Sequence, residues 1–276
     1  MAAPDHRRRR RGNRAAARPP YAPKSPAERR PEGLWIYGIH PVLAALANPR
    51  RTVRRIVVTP NAMARLADAG ATFATPVEES TPRLLDRLLG GEAVHQGAAA
   101  EVAPLPPLSL DTLAAARLIV VLDQITDPHN IGAIMRSAVA FAADGLVSTG
   151  RHAPPETGAL AKAASGALDR IAWITVGNLA RALGEIGEMG FTRVGLDSAA
   201  DTGIEAAMGG GRIALVLGAE GKGLRRLTRE SCDALARLPV PGAVASLNVS
   251  NAAVLALHLA RRHLDRHGGE DTGGAD

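Results

Sequence analysis

A single cysteine, Cys232, stands in a chain of 276 residues. It leaves no disulfide possible within one chain and no cysteine-based metal site, and a reducing, cytoplasmic compartment is the expectation. Long apolar runs are missing too: none approaches the ~20 residues that span a bilayer, so no membrane insertion is expected. The N-terminus has the charged start of an export signal without the apolar stretch that should follow, which argues against secretion. Lysine is scarce, at Lys24, Lys162 and Lys222 only, against many arginines and alanines. No Gly-x-Gly-x-x-Gly follows any candidate strand, so the dinucleotide-binding fingerprint is absent. No metal-binding constellation stands out, and no metal is expected.

The charge that is present is unevenly placed. Of the formal net +6, residues 1–30 carry +8 (nine arginines and one lysine against Asp5 and Glu28), which leaves −2 on the remainder. A run such as Arg7 to Arg11 buries no apolar surface and repels itself, so residues 1–33 are expected to form a disordered basic tail. Such a tail is either a solvated appendage or an arm that releases counterions from phosphates, raising affinity for RNA without reading sequence. RNA is the favoured partner.

The length allows one large or two modest domains, and the pattern of elements favours two. Residues 34–103 alternate short strands (Trp35 to Ile39, Arg55 to Thr59) with helices opened by Pro41, Pro60-Asn61 and Thr81-Pro82, the signature of a small α/β unit. Pro104, Pro106 and Pro107 begin a stiff linker over residues 104–116. Residues 117–267 then read as a parallel α/β domain. Leu118 to Leu122 is a continuous apolar run, as in a strand buried on both faces. Ile171 to Val176, Phe191 to Leu196 and Ile213 to Leu217 read as further strands, with helices expected near Asn130 to Ala142, from Pro154-Pro155-Glu156, and from Val249 to Leu264. Residues 268–276 complete the chain as a second tail. There is no internal repeat.

Ligands of open α/β sheets gather where strands end, and three such loops are rich in polar residues or glycine. In the first, Asp123 to Arg136, Asn130 is a candidate helix cap and Arg136 sits about two turns in. The second, Val216 to Leu224, suggests a phosphate loop. It fails the Walker test, with Val216 in place of the first glycine and Gly223 where Ser or Thr belongs. Its glycines still require close backbone approach or positive φ, and Glu220 among them is either a capping carboxylate or an acceptor in a site. The third, Leu238 to Asn251, crowds Ser246, Asn248, Ser250 and Asn251 at the start of an apolar helix. One cap would suffice there, so a binding role is favoured.

In this order and at these separations the loops resemble the three motifs of the SpoU-type (TrmH) RNA ribose methyltransferases of the SPOUT superfamily. The match runs through Asn130, Gly132 and Arg136, then Leu217-Gly218-Ala219-Glu220-Gly221-Lys222-Gly223-Leu224, then Ser246-Leu247-Asn248-Val249-Ser250. The first domain is similar to that family's RNA-binding domain of ribosomal-protein-L30 type (L30e-like) through Tyr37-Gly38-Ile39-His40-Pro41-Val42 and His95-Gln96-Gly97. The likeness spans roughly residues 34–265, and the arrangement is nearest to the bacterial large-subunit (23S) ribosomal RNA guanosine enzymes of RlmB type. Asn251 departs from the small apolar residue common there.

The resemblance implies a deep C-terminal trefoil knot, a homodimer with the active site at the subunit interface, and S-adenosylmethionine as cofactor. It implies cofactor contacts from Leu217, Gly218, Gly223, Leu238, Val240, Ser246 and Leu247. The catalytic set would be Arg136 with Asn130, Glu220, Ser246 and Asn248, and RNA contacts would come from His40, His95, Gln96 and Arg136. A histidine in a turn beside proline also has a purely structural reading, and a general-base role for Arg136 conflicts with a guanidinium that stays protonated. Two alternatives remain open: a transfer-RNA ribose methyltransferase, and a non-catalytic RNA-binding protein of the same fold.

Overall fold

The computed structural model describes residues 33–150, 154–242 and 247–267. The basic tail (save Gly33), the second tail and Ser246 lie outside the described residues. In the first domain β1 (Leu34–Tyr37), α1 (Ile39–Ala47), β2 (Val53–Val58), α2 (Pro60–Asp68), β3 (Val77–Glu79), α3 (Pro82–Leu89) and β4 (Ala98–Val102) follow in turn. The sheet order is β1-β4-β2-β3, with β4 antiparallel to both neighbours and β3 parallel to β2. Helices α2 and α3 begin as their sequences dictate. Thr59 and Thr81 accept from the N–H of Ala62 and Leu84, with proline at the first helical position where its missing N–H costs nothing.

The second domain is built on six parallel strands: β5 (Leu118–Asp123), β6 (Gly145–Thr149), β7 (Ala172–Val176), β8 (Thr192–Leu196), β9 (Ile213–Gly218) and β10 (Ala234–Ala236). Their order is β10-β8-β9-β5-β6-β7, so β9 inserts between β8 and β5. Helices α4 (Pro128–Ala140), α5 (Gly158–Ala164), α6 (Leu179–Glu188), α7 (Ile204–Ala207), α8 (Arg226–Glu230) and α9 (Val249–His267) surround the sheet. The alternation along β5 explains the layers. Leu118, Val120 and Leu122 join a core with Ile131, Ile134 and Met135 of α4 and Ala253, Ala256 and Leu257 of α9. Ile119 and Val121 instead join Leu179, Leu183 and Ile186 of α6. Both faces are covered, which is why the strand is apolar without a break.

Three expectations need correction, and one strand carried no signal in the sequence. Asp127, not Asn130, caps α4, its side chain accepting from the His129 N–H, because Pro128 takes the first helical position and moves the start back. Helix α5 opens at Gly158 with Thr157 as its cap; Glu156 is occupied instead by Arg51 and the Leu105 N–H. The 104–116 segment is less a spacer than a packed strap: Leu108 and Leu110 rest on the second core, and Leu113 is buried. Finally, β4 was not foreseen, since three of its five residues are alanines of weak strand propensity. Its place between β1 and β2 overrides that preference.

Candidate active site

The motif loops leave β5, β9 and β10 at the carboxyl end of the parallel sheet, and one carboxylate joins three segments. Glu220 Oε1 accepts from Asn248 Nδ2 at 2.6 Å, from Asn130 Nδ2 at 3.2 Å and from the Val249 N–H at 3.3 Å. Asn248 Nδ2 also reaches Asn130 Oδ1 at 3.2 Å. Asn248 Oδ1 in turn accepts from the Ser250 N–H at 2.9 Å and from Ser250 Oγ at 2.6 Å. Asn248 and Glu220 thus both satisfy the start of α9, and a carboxylate there is favoured by the helix dipole. Asn130 is available for this contact because Asp127 has relieved it of capping.

The glycines between β9 and α8 serve a backbone that folds on itself. Gly223 donates its N–H to the Ala219 carbonyl at 2.8 Å, and Gly221 and Gly223 have φ of +72° and +64°, the left-handed region that favours glycine. A Cβ on Gly218 would meet Gly223 C at 2.3 Å and Leu224 N at 2.5 Å. The two reasons for the glycines offered by the sequence therefore both apply, at different positions. Leu217 is buried at the end of β9, Leu238 and Val240 are partly buried beyond β10, and Leu247 is 39 % exposed.

The first residue of the first loop, to which the sequence assigned no role, anchors the glycine loop. Asp123, wholly buried at the end of β5, accepts from Arg225 Nε at 2.6 Å and from the Arg225 N–H at 2.9 Å. A buried carboxylate needs such a partner, and the pair ties the exit of the glycine loop to the central strand. An aspartate closing a run of five buried apolar residues was the available signal. Beside it, Thr149, Asn178, Arg225, Arg226 and Thr228 line a cleft above β6 and β7 that includes none of the motif residues.

Arg136 is not brought into the Glu220 cluster. Six residues beyond Asn130, it lies about 120° around α4, its side chain exposed and without a hydrogen bond or ion pair to any described residue. Among the first-domain candidates, His40 is exposed at the start of α1. His95 is 9 % exposed, with Nδ1 accepting from the Gly97 N–H at 2.9 Å and Nε2 at 3.1 Å from Asp86. Gln96, at φ +53°, accepts on Oε1 from the Ile39 N–H and from Lys162 Nζ, at 3.3 and 3.1 Å. Those two side chains already have work inside the protein.

Residues 117–258 match the model of the SpoU rRNA Methylase family, and residues 35–108 match that of the RNA 2′-O ribose methyltransferase substrate-binding domain. The chain is 38 % identical to the 23S rRNA (guanosine-2′-O-)-methyltransferase RlmB of Xylella fastidiosa, over 83 % of this chain and 96 % of that protein. It is likewise 38 % identical to the protein of that name from a Burkholderia species, over 82 % and 95 %. Among solved structures, the SpoU methyltransferase AviRb of Streptomyces viridochromogenes, in complex with AdoMet, superposes with a TM-score of 0.70 at 25 % identity, over 84 % of this chain and 90 % of that one. The mixed α/β architecture with a parallel sheet, the order of the motifs and the two matched domains agree: this chain belongs to the SpoU family of RNA methylases.

Proposed function

We propose that this protein transfers the methyl group of S-adenosylmethionine to the ribose 2′-oxygen of a guanosine in 23S ribosomal RNA. Its relatives at 38 % identity carry that activity in their names and are matched nearly end to end. The observation within the chain that best supports it is Glu220, whose one oxygen gathers Asn130, Asn248 and the start of α9. A site so joined is organised before its ligands arrive.

The cofactor supplies an electrophilic methyl on a sulfonium, so the protein's task is chiefly alignment and handling one proton. The folded-back backbone from Gly218 to Gly223, with Leu217, Leu238, Val240, Ser246 and Leu247, fits as a holder for it. Arg136 is the catalytic arginine of this reading. Its guanidinium stays charged, and it is suited to clamp the phosphate or the oxygen beside the reacting ribose. A side chain that is exposed, without a partner among the described residues and away from its own Glu220 cluster supports the reading that it serves a second subunit. The exposed Leu247 and Val254 near the start of α9 suit the same homodimer. Within this reading the second domain closes as a trefoil knot, the first is L30e-like and binds RNA with His40 exposed for contact, and the protein works in the cytoplasm, its basic tail adding phosphate affinity.

The test is a map of ribose methylation in ribosomal RNA from cells with and without the gene, repeated with purified protein, cofactor and 23S fragments. One guanosine should lose its 2′-O-methyl group in the deletion and regain it in vitro. Unchanged ribosomal RNA with a changed transfer RNA would move the substrate; no change in either would end the proposal.

A further inference from the structure

The two domains meet across α5. A Cβ on Gly158, its first residue, would stand 2.5 Å from Tyr37 Cε1 and 2.6 Å from the Trp35 carbonyl oxygen. Past its end, a Cβ on Gly166 would lie 2.9 Å from the His40 carbonyl oxygen. On another side the same helix packs on α4, where a Cβ on Gly132 would lie 2.5 Å from Ala163 Cβ and 2.8 Å from Ala164 N. One short helix therefore touches both the first domain and the helix that carries Asn130 and Arg136.

A buried ion cluster holds the flanks of α5. The Arg51 side chain is wholly inaccessible, and its Nε donates to Asp169 Oδ1 at 2.7 Å. Its Nη1 donates to Glu156 Oε2 at 2.7 Å and to the Ala103 carbonyl at 2.9 Å. Asn48 Nδ2 adds a bond to Asp169 Oδ1 at 3.0 Å, and Glu156 Oε1 accepts from the Leu105 N–H at 2.9 Å. Glu156 precedes α5 and Asp169 follows it, so one arginine of the first domain secures both ends. Buried ion sets are poor sources of stability, because desolvation offsets attraction; fixing one arrangement among apolar alternatives is their better-attested use. Arg51 Nη2, buried with no partner among the described residues, is consistent with an arrangement not optimised for stability.

We infer that Arg51 is a positioning residue that decides which ribose is methylated, by fixing the span between the RNA-docking domain and α4. This rests on the function proposed above. An RNA held by the first domain then presents one nucleotide to the reaction site, and a looser junction lets neighbouring riboses reach it.

The test compares the full-length enzyme with a variant combining Arg51→Met, Glu156→Gln and Asp169→Asn, which leaves no uncompensated charge. On a 23S fragment that the unaltered enzyme methylates, the variant should bind cofactor within twofold of normal. Its kcat/KM should fall at least tenfold, chiefly through KM, with methyl groups spread over riboses flanking the target. A folded variant that still marks a single nucleotide overturns the inference, whatever its rate, because a merely structural role lowers activity without moving the mark. Should the variant fail to fold, spin labels on Val94→Cys and Glu230→Cys in a Cys232→Ser background test the clamp with Arg51 in place. One narrow distance, unchanged by RNA, supports it; a broad or RNA-shifted distribution overturns it. Failure of the unaltered enzyme to methylate any RNA would strike the proposed function instead, and the label distance would still report on the clamp.

Discussion

Gly218→Ala isolates the proposed cofactor loop from the rest of the fold. The added Cβ would stand 2.3 Å from Gly223 C, 2.5 Å from its carbonyl oxygen and 2.5 Å from Leu224 N. All three are backbone atoms, so no side-chain rotation relieves the contact. Carbon atoms at rest sit about 3.5–4.0 Å apart, and the Gly223–Leu224 strand of the loop must therefore retreat by roughly 1 Å or more. Leu224 is 6 % exposed in the core beneath α6, which resists that movement; overpacking of this kind costs about 1–3 kcal/mol. If the loop cradles S-adenosylmethionine, a shift of that size removes its close contacts, and the expected loss is about 100-fold in affinity by calorimetric titration, or about 2.7 kcal/mol. Two controls bracket it. Gly221→Ala meets nothing within 4 Å but must hold φ +72°, a strain of about 1 kcal/mol, so its effect should be smaller. Gly184→Ala, inside α6 with nothing within 4 Å, should stabilise the protein by about 0.5–1 kcal/mol and leave binding alone. Cofactor affinity within threefold of normal in a folded Gly218→Ala protein would refute the placement of the site.

Arg136→Ala should abolish methyl transfer while cofactor affinity stays within about threefold, since the side chain has no partner among the described residues; near-normal turnover would remove it from the chemistry. Burial pushes the Cys232 thiol up to about 11, so its alkylation at pH 8 should run about 100-fold slower than that of an exposed thiol, and equal rates would contradict the packing around it. Asp233 is hydrogen-bonded by Arg193 through Nε, Nη2 and the backbone N–H, which hold its carboxyl below the usual carboxylate range. Its contribution is therefore present above the unfolded value of about 4 and lost as pH falls through the lower folded value. Asp233→Asn should cost about 1 kcal/mol or less at pH 7, because the pair is partly exposed, and the gap in denaturant midpoint should close below about pH 4. A gap that widens in acid would reverse the sign of the argument.

Much of this molecule was legible because its local signals agree with its global fold. The Thr-Pro starts of α2 and α3 and the unbroken apolar run of β5 each have one physical reading, and the structure supplies it. The failures share a cause. Strand β4, built largely of alanine, owes its place to partners on both sides rather than to its own preference. The Arg51 cluster joins residues more than 100 positions apart, and nothing in a local window marks an arginine as wholly buried. Asp123 was visible as a polar end to an apolar strand, but its partner Arg225 lies 102 residues away.

The surplus of polar side chains before α9 was the subtler signal, and the structure alters its meaning. One cap suffices for a helix start, so Asn248, Ser250 and Asn251, with Ser246 before them, argued for a ligand. In the fold, Asn248 Oδ1 takes the Ser250 N–H, Glu220 takes the Val249 N–H, and Asn248 Nδ2 is spent on Glu220 and Asn130. Asn248 and Ser250 are thus used within the protein, Asn248 tying the first and second motif loops to the third. That changes what the motif residues contribute. Groups that hold one another in place before binding have little freedom left to lose when a ligand arrives, so the gain is in orientation rather than in contact area. A reaction needing little more than a methyl carbon aligned with a ribose oxygen is one for which orientation is most of the problem.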